Sequence, residues 1–355
     1  MKLNPKKINQ SESAFSRHLS KSIISTFFLI SSLLLFSTTS FAHIKWFVDP
    51  NMQPPADFKP YHLTDLPVLI WIAVGLLFAG ISIVLDKKIP LLAIAPTAIK
   101  VLKTPFIIIL QVLTGISLII TALQGNLIAP HLTAYGALGM GLLGLEVIIG
   151  ALLIINKYVN HAAALMYLLL LGVLIQYGFV SLFEYINLAG IATFLLFTKM
   201  PNDQLRAKLA PYSVDMLRII TGIAVIVLGI TEKITGAVLA EAFLEKYHWN
   251  FMQLIGFNSF DNHLFVLSAG SMEIIFGVIL VLGTITRINT LVLSGVLLTS
   301  NIVFFATGNS HGAIVELIGH APIIGSALIL LLCGYGEKLK ITNLFSPKSA
   351  KEGDQ

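Results

Sequence analysis

Two glutamates, Glu146 and Glu273, stand in the middle of long apolar runs. A carboxylate near the centre of a bilayer costs several kcal/mol unless it is protonated, paired or facing water. Glu184 and Glu316 form a second matched pair, near the outer ends of two other apolar runs. Around the later copies more chemistry collects. Glu232 and Lys233 end one run, and Glu316 and His320, four residues apart, share one helical face. His311 lies in the loop "TGNSHGA", and His263 opens the run that carries Glu273. Such groups can exchange protons, hold the head group of a lipid-soluble cofactor, or bond helix to helix. The expected catalytic set is Glu273, Glu316 and His320, as a proton relay or quinone site. Glu232, Lys233 and His311 are the expected cofactor-binding set. The structural alternative for the matched glutamates is a protonated carboxyl hydrogen-bonded between helices.

Histidine offers a second chemistry. His43, His62, His131, His248, His263, His311 and His320 all fall on one expected side. A free amino terminus at His43 together with its ring nitrogen could chelate copper, with His62 the nearest further imidazole. No histidine pair has the compact spacing of a dedicated metal site.

These residues are held by a very apolar chain. Of 355 residues, 56% are hydrophobic and 12% charged, and the mean hydropathy is +0.86. That composition makes the lipid bilayer the first partner and excludes a soluble enzyme. The net charge of +5 sits mostly between apolar runs and is no nucleic-acid signal. A single cysteine, Cys333, rules out an intrachain dithiol. Residues 1–42 read as a signal peptide, with a basic leader, an apolar core and Ser40-Phe41-Ala42 before the cut. An uncleaved first transmembrane helix is the other reading.

Nine apolar segments follow, near 66–85, 106–127, 135–155, 162–180, 183–198, 216–233, 263–282, 288–306 and 314–334. In lipid they must be helices, because only a helix satisfies its own backbone. The fold expected is therefore all-α, a polytopic membrane bundle. Lys87, Lys88, Lys100, Lys103, Lys157, Lys199, Arg206, Lys208, Arg218 and Arg287 fall in loops or helix ends on one side, with more lysines in the tail. By the positive-inside rule this places the carboxyl terminus in the cytoplasm and His43 in the periplasm of a bacterial inner membrane.

The chain also resembles itself. "VLTGISLII" at 112–120 matches "IITGIAVIV" at 219–227, and "LEVIIGALLI" at 145–154 matches "MEIIFGVILV" at 272–281. "FEYINLAGIATFLLF" at 183–197 roughly matches "VELIGHAPIIGSALI" at 315–329. The expected organisation is a lead-in at 43–65 and an extra helix with its loop at 66–105. A degenerate four-helix unit at 106–200 and a linker at 201–215 come next, then a second four-helix unit at 216–335 and a tail at 336–355. The second unit carries an outer-loop insertion, 232–262, expected to be an amphipathic helix on the membrane surface. Its charged extras make the second unit the expected working copy.

The second unit resembles the DoxX family of small four-helix membrane proteins. The likeness rests on "LRIITGIAVIVLGITEKI", with Arg218, Gly229 and Lys233, and on "MEIIFGVILVLGTITRI", with Glu273, Gly277, Gly283 and Arg287. A last helix with polar residues at its outer start completes it. Unit one has Gln111 and Asn126 where unit two has Arg218 and Lys233. Members of that family are associated with thiosulfate:quinone oxidoreductase in sulfur-oxidising archaea and with membrane oxidoreductase complexes in bacteria. The resemblance thus implies a subunit or accessory of a quinone- or thiol-linked redox system. If the chain is an enzyme, it is an oxidoreductase component. Quinone is the cofactor this implies, and Arg218 and Arg287 are inner-face anchors. The alternatives are a metal-handling carrier that uses copper, and a scaffold for a periplasmic or redox partner at 232–262. A homo-oligomer is a further expected partner.

Overall fold

The computed structural model describes residues 44–49, 55, 58–88, 96–306, 308–333 and 336–344. His43 and the leader with its cut site lie outside the described residues, as does 345–355.

Among the described residues the chain is helical throughout, with one isolated bridge between Asn126 and Thr133. The helices are α1 (Leu66–Lys88), α2 (Pro96–Leu123), α3 (Gly136–Ile154), α4 (Val159–Glu184), α5 (Asn187–Thr198), α6 (Asp203–Leu209) and α7 (Ser213–Leu228). After them come α8 (Ala237–Tyr247), α9 (Phe251–Leu254), α10 (Asn262–Leu282), α11 (Thr286–Ala306), α12 (Ser310–Leu328) and α13 (Ile341–Leu344). Among the described residues seven spans are long and apolar enough to cross a membrane, and 187–198 and 286–298 are shorter apolar helices. This is a multi-pass helical membrane protein.

Lipid tails are as apolar as leucine, so helices in a bilayer associate through close packing at small residues. The chain uses this device twice in the same way. Gly115 of α2 lies against Gly150 of α3, and a Cβ on Gly115 would stand 2.7 Å from the Gly150 carbonyl oxygen. Gly222 of α7 lies against Gly277 of α10, where the same distance is 2.8 Å. The first and last helices of the two stretches are exchanged: α2 packs on α12, and α5 packs on α7. Leu110 of α2 fills the space beside Gly325, while Leu217 and Ile220 of α7 lie beside Gly190. The extra helix α1 leans on α10 and turns Leu69, Ile70, Leu76, Leu77 and Phe78 outward, as a lipid-facing helix must.

One boundary differs from the sequence expectation. Glu184 is the last residue of α4 rather than an early residue of α5, whereas Glu316 lies inside α12. The turn comes at Tyr185 and Ile186, leaving α5 only 12 residues long. The two glutamates are therefore matched in sequence but sit on different kinds of helix position. The 26-residue α4 is also kinked at Gly178, whose φ of 83° an L side chain rarely adopts.

At one end of the bundle Arg218 closes a clamp. It is fully buried, paired with Asp215 at 3.5 Å, and donates to the carbonyls of Leu280, Val281 and Leu339. Asp215 accepts from the Leu339 backbone N–H at 2.8 Å. Nearby, Asp86 of α1 accepts from Lys340 and from the Ile285 N–H, and Ser82 meets Thr284 at 2.7 Å. Arg218, placed as an anchor from the sequence, thus ties α7, the α10 end and the carboxyl-terminal segment together.

Candidate functional site

The candidate site lies at the opposite end, inside α7, α10, α11 and α12. The end of α7 opens into a π-helical turn, Gly229–Ile234, marked by a Thr235 N–H donating to Ile230 at 2.8 Å. Such turns insert an extra residue into a helix and are frequent at functional sites. Here the turn delivers Glu232 and Lys233, both 2% exposed, to the bundle interior. Lys233 needs room, and Gly270 of α10 provides it: a Cβ there would stand 2.7 Å from the Lys233 Cβ. Lys233 Nζ lies 3.1 Å from Glu273 Oε1 and 3.5 Å from Glu232 Oε2. One ammonium is therefore shared by two carboxylates, which is how a charge can be kept inside a membrane protein.

Below this triad lies a cavity of about 360 Å³. Glu232, Lys233, Glu273 and His320 form its charged end, and its walls are Val225, Leu228, Phe276, Leu293, Leu297, Ile324 and similar residues. Leu298 lines the cavity and is 53% exposed, so the cavity opens on the side of the bundle. The hydroxyls of Thr290 and Ser294 on the α11 wall donate to the helix's own carbonyls and keep only their acceptor capacity. An apolar chamber with one polar end and a side opening suits an amphiphile arriving from lipid.

In the first stretch the matched glutamate has another role. Glu146 is fully buried and accepts from Thr121 Oγ1 at 2.7 Å and from the Ile128 N–H at 3.0 Å. It latches the 124–132 loop onto α3. Asn126, aligned with Lys233, instead meets Thr133 at 3.1 Å. Four residues before each glutamate stand Leu142 and Ala269. Leu142 packs tightly against Gly172 of α4, whereas Ala269 lines the cavity.

The other expected site residues are distributed as follows. Glu316 is fully buried, with His320 Nδ1 at 3.8 Å on the next turn, so the pair does share a face. His320 reaches the cavity, and Glu316 does not line it. His311 is exposed in the first turn of α12 and is not a cavity residue. His62 is exposed, with its backbone N–H donated to Asp65. His43 lies outside the described residues. Among those residues no three of His, Cys, Asp and Glu are grouped to hold a metal. His263 pairs with Glu241 at 2.6 Å and faces the Tyr61 ring at 4.2 Å. Burial, with Glu241 and Asp261 close by, pushes the Tyr61 phenol upward, so it serves as a donor to the His263 carbonyl at 2.7 Å.

The lead-in contributes contacts that sequence reasoning missed. Residues Ile44–Trp46 form a short 3₁₀ turn set into the charged end of the bundle. The Ile44 N–H points at Glu232 Oε2 at 3.4 Å, and Lys45 forms an ion pair with buried Glu184. Trp46 lies over His320, ring centroids 5.4 Å apart, and donates to the Tyr185 hydroxyl at 3.3 Å. The lead-in is thus a plug over the site. Its aromatic residues find ring partners here, and Lys45 finds a carboxylate.

No family model, no curated protein and no solved structure matches this chain. The insertion 232–262 completes the same cover. Helix α8 buries Ala237, Ala240, Phe243 and Leu244 in a cluster with Ile44, Val48, Trp249 and Phe304. Phe47 stacks on Phe304 at 5.0 Å and meets Phe243 edge-on. The apolar face expected to lie on the membrane surface is therefore turned inward, because the lead-in supplies a protein partner for it.

Proposed function

We propose that this chain is a DoxX-like inner-membrane protein that binds the head group of a lipid-soluble quinone in the cavity beside Lys233 and Glu273, as a subunit or accessory of a redox system. The observation that carries this reading is the side-opening cavity of about 360 Å³ ending on Glu232, Lys233, Glu273 and His320. Its size lies in the range of small-molecule sites, and its walls match an isoprenoid-type tail. A bound quinone supplies two-electron, two-proton chemistry. The chain supplies Lys233 as a donor to a carbonyl oxygen, and Glu273 and His320 as groups that hold a proton near it. The apolar walls exclude water from the head group.

The finer architecture belongs to the same proposal. Nine crossings, two tandem four-helix units and one extra helix are supported by the repeated Gly115–Gly150 and Gly222–Gly277 contacts and by the exchange of first and last helices. A periplasmic lead-in and a cytoplasmic carboxyl terminus are supported by the lysine and arginine asymmetry. The DoxX likeness rests on the motifs around Arg218 and Glu273.

The test is a titration of the purified protein in lipid nanodiscs with a quinone analogue, beside Glu273→Gln. Saturable binding weakened by the substitution is expected. Binding no greater than that of empty nanodiscs rejects the reading. A scaffold role has one observation of its own: Ile255 and Phe257, at the tip of the insertion, are 64% and 57% exposed. That patch would meet a partner protein, and its removal should release a co-purifying protein without changing analogue binding. The metal-carrier alternative draws on His43 and exposed His62.

A further inference from the structure

A second, smaller chamber lies on the seam where α2, α5, α7 and α12 meet. It has a volume of about 30 Å³ and is lined by Ser117, Glu184, Asn187 and Thr221 among apolar neighbours. A water molecule needs roughly 10–15 Å³ of such space and two to four polar partners, so about two waters fit. The polar partners are there. Glu184 is 1% exposed; its Oε1 is held by Lys45, while its Oε2 is buried with no hydrogen-bond partner among the described residues. Thr221 is 6% exposed, and its Oγ1 is in the same condition. A buried carboxylate oxygen and a buried hydroxyl left unbonded inside a membrane bundle are costly, and natural structures satisfy such groups with ordered water.

Thr221 also lines the large cavity, together with Val225, Leu228 and Ile323, which are common to both chambers. We propose that the seam chamber is a buried water site that hydrogen-bonds Glu184 Oε2 and Thr221 Oγ1 and joins Glu184 to the wall of the large cavity. The charged and titratable groups around Glu184 are Lys45 from the lead-in and the Tyr185 hydroxyl next to it in the chain, which in turn has Glu232 of the Gly229–Ile234 turn nearby. Given the quinone reading, this water is the route by which a proton passes from the Glu184 end toward the head group, with only O–H bonds exchanged along it. The water site itself does not depend on that reading.

Hydroxyl-radical labelling of the full chain in nanodiscs, without any quinone, tests it, because radicals generated from bound water mark the nearest side chains. Leu118 and Leu188 line the seam chamber and are 1% and 4% exposed; Ile149 and Leu153, fully buried in α3, are the dry controls. Leu118 and Leu188 should be labelled several-fold more than the controls. Ser117→Leu, which fills the chamber, and Thr221→Val, which removes one anchor with little change of shape, should each bring them down to the control level. Labelling of Leu118 and Leu188 equal to the controls in the wild-type protein overturns the proposal. So does labelling that survives both substitutions. Labelling as expected combined with failed quinone binding keeps the water site and rejects only the cofactor reading.

Discussion

Leu142 occupies the space directly in front of Gly172, where a Cβ would meet the Leu142 side chain at 2.5 Å. The residue in the same place before the second glutamate is Ala269, and a cavity lies beside it. At this place a leucine in the first stretch is thus replaced by an alanine that lines the cavity in the second. Ala269→Leu should fill part of the cavity while leaving the thermal midpoint unchanged or raised, since packing is added where there is room. Quinone-analogue binding should weaken about tenfold, equivalent to about 1.4 kcal/mol. Binding as tight as wild type would show that the analogue sits elsewhere.

The matched glutamates should separate in a paired experiment. Glu146→Ala leaves the Ile128 N–H buried without its acceptor, while the Thr121 hydroxyl falls back on the Ser117 and Leu118 carbonyls, so the substitution costs about 1–3 kcal/mol of stability. Glu146→Gln keeps an acceptor oxygen and should unfold close to wild type. Glu273→Gln leaves Lys233 paired with Glu232, so its effect should fall on ligand binding and little on the thermal midpoint. Equal destabilisation by Glu146→Ala and Glu146→Gln would rule out the latch.

Much of this was readable from the chain alone. Apolar runs became helices because a bilayer leaves the backbone no other choice, and the recurrence of Glu-x-x-x-Gly located both glutamates on glycine-packed helices. The plug was not readable. "IKWF" looks like an interfacial aromatic stretch, and only its contacts with Glu232, Glu184 and His320, some 140 to 280 residues away, give it another place. The inward turn of α8 was hidden for the same reason, since an amphipathic pattern does not say whether lipid or protein covers the apolar face. The cavity did leave a trace: "GLLGLE" against "LSAGSME" already contains the Leu142 to Ala269 exchange. Its meaning needed the position of Gly172.

The clamp at the other end makes a stability prediction. Gly283 caps α10 with a φ of +75°, and a Cβ there would stand 2.7 Å from the Arg218 guanidinium carbon. Gly283→Ala meets both backbone strain and a clash with a buried cation that already serves three carbonyls. A loss of at least about 1–3 kcal/mol is expected, read as a lower thermal midpoint in detergent. Gly256→Ala, also at positive φ but with open space around it, should cost less. A ranking in the reverse order would reject the Arg218 contact as the cause.

The plug can be tested through the histidine it covers. His320 is 3% exposed and lies under the Trp46 ring, which also packs on Gly319. Diethyl pyrocarbonate, added to intact nanodiscs, acylates accessible neutral imidazoles and is followed by mass spectrometry of the peptides. In the wild-type protein His62 and His311, both exposed, should react readily and His320 slowly. Trp46→Ala removes the ring and its bond to Tyr185, and His320 should then react several-fold faster while His62 and His311 keep their rates. Phe58→Ala is the control for general loosening, because Phe58 touches His263 at 6.2 Å between ring centroids and His320 is not its partner. Acceleration at His320 in Trp46→Ala alone identifies Trp46 as the cover of the charged end. An unchanged His320 rate in that variant would mean that α12 itself, not the lead-in, shields the imidazole.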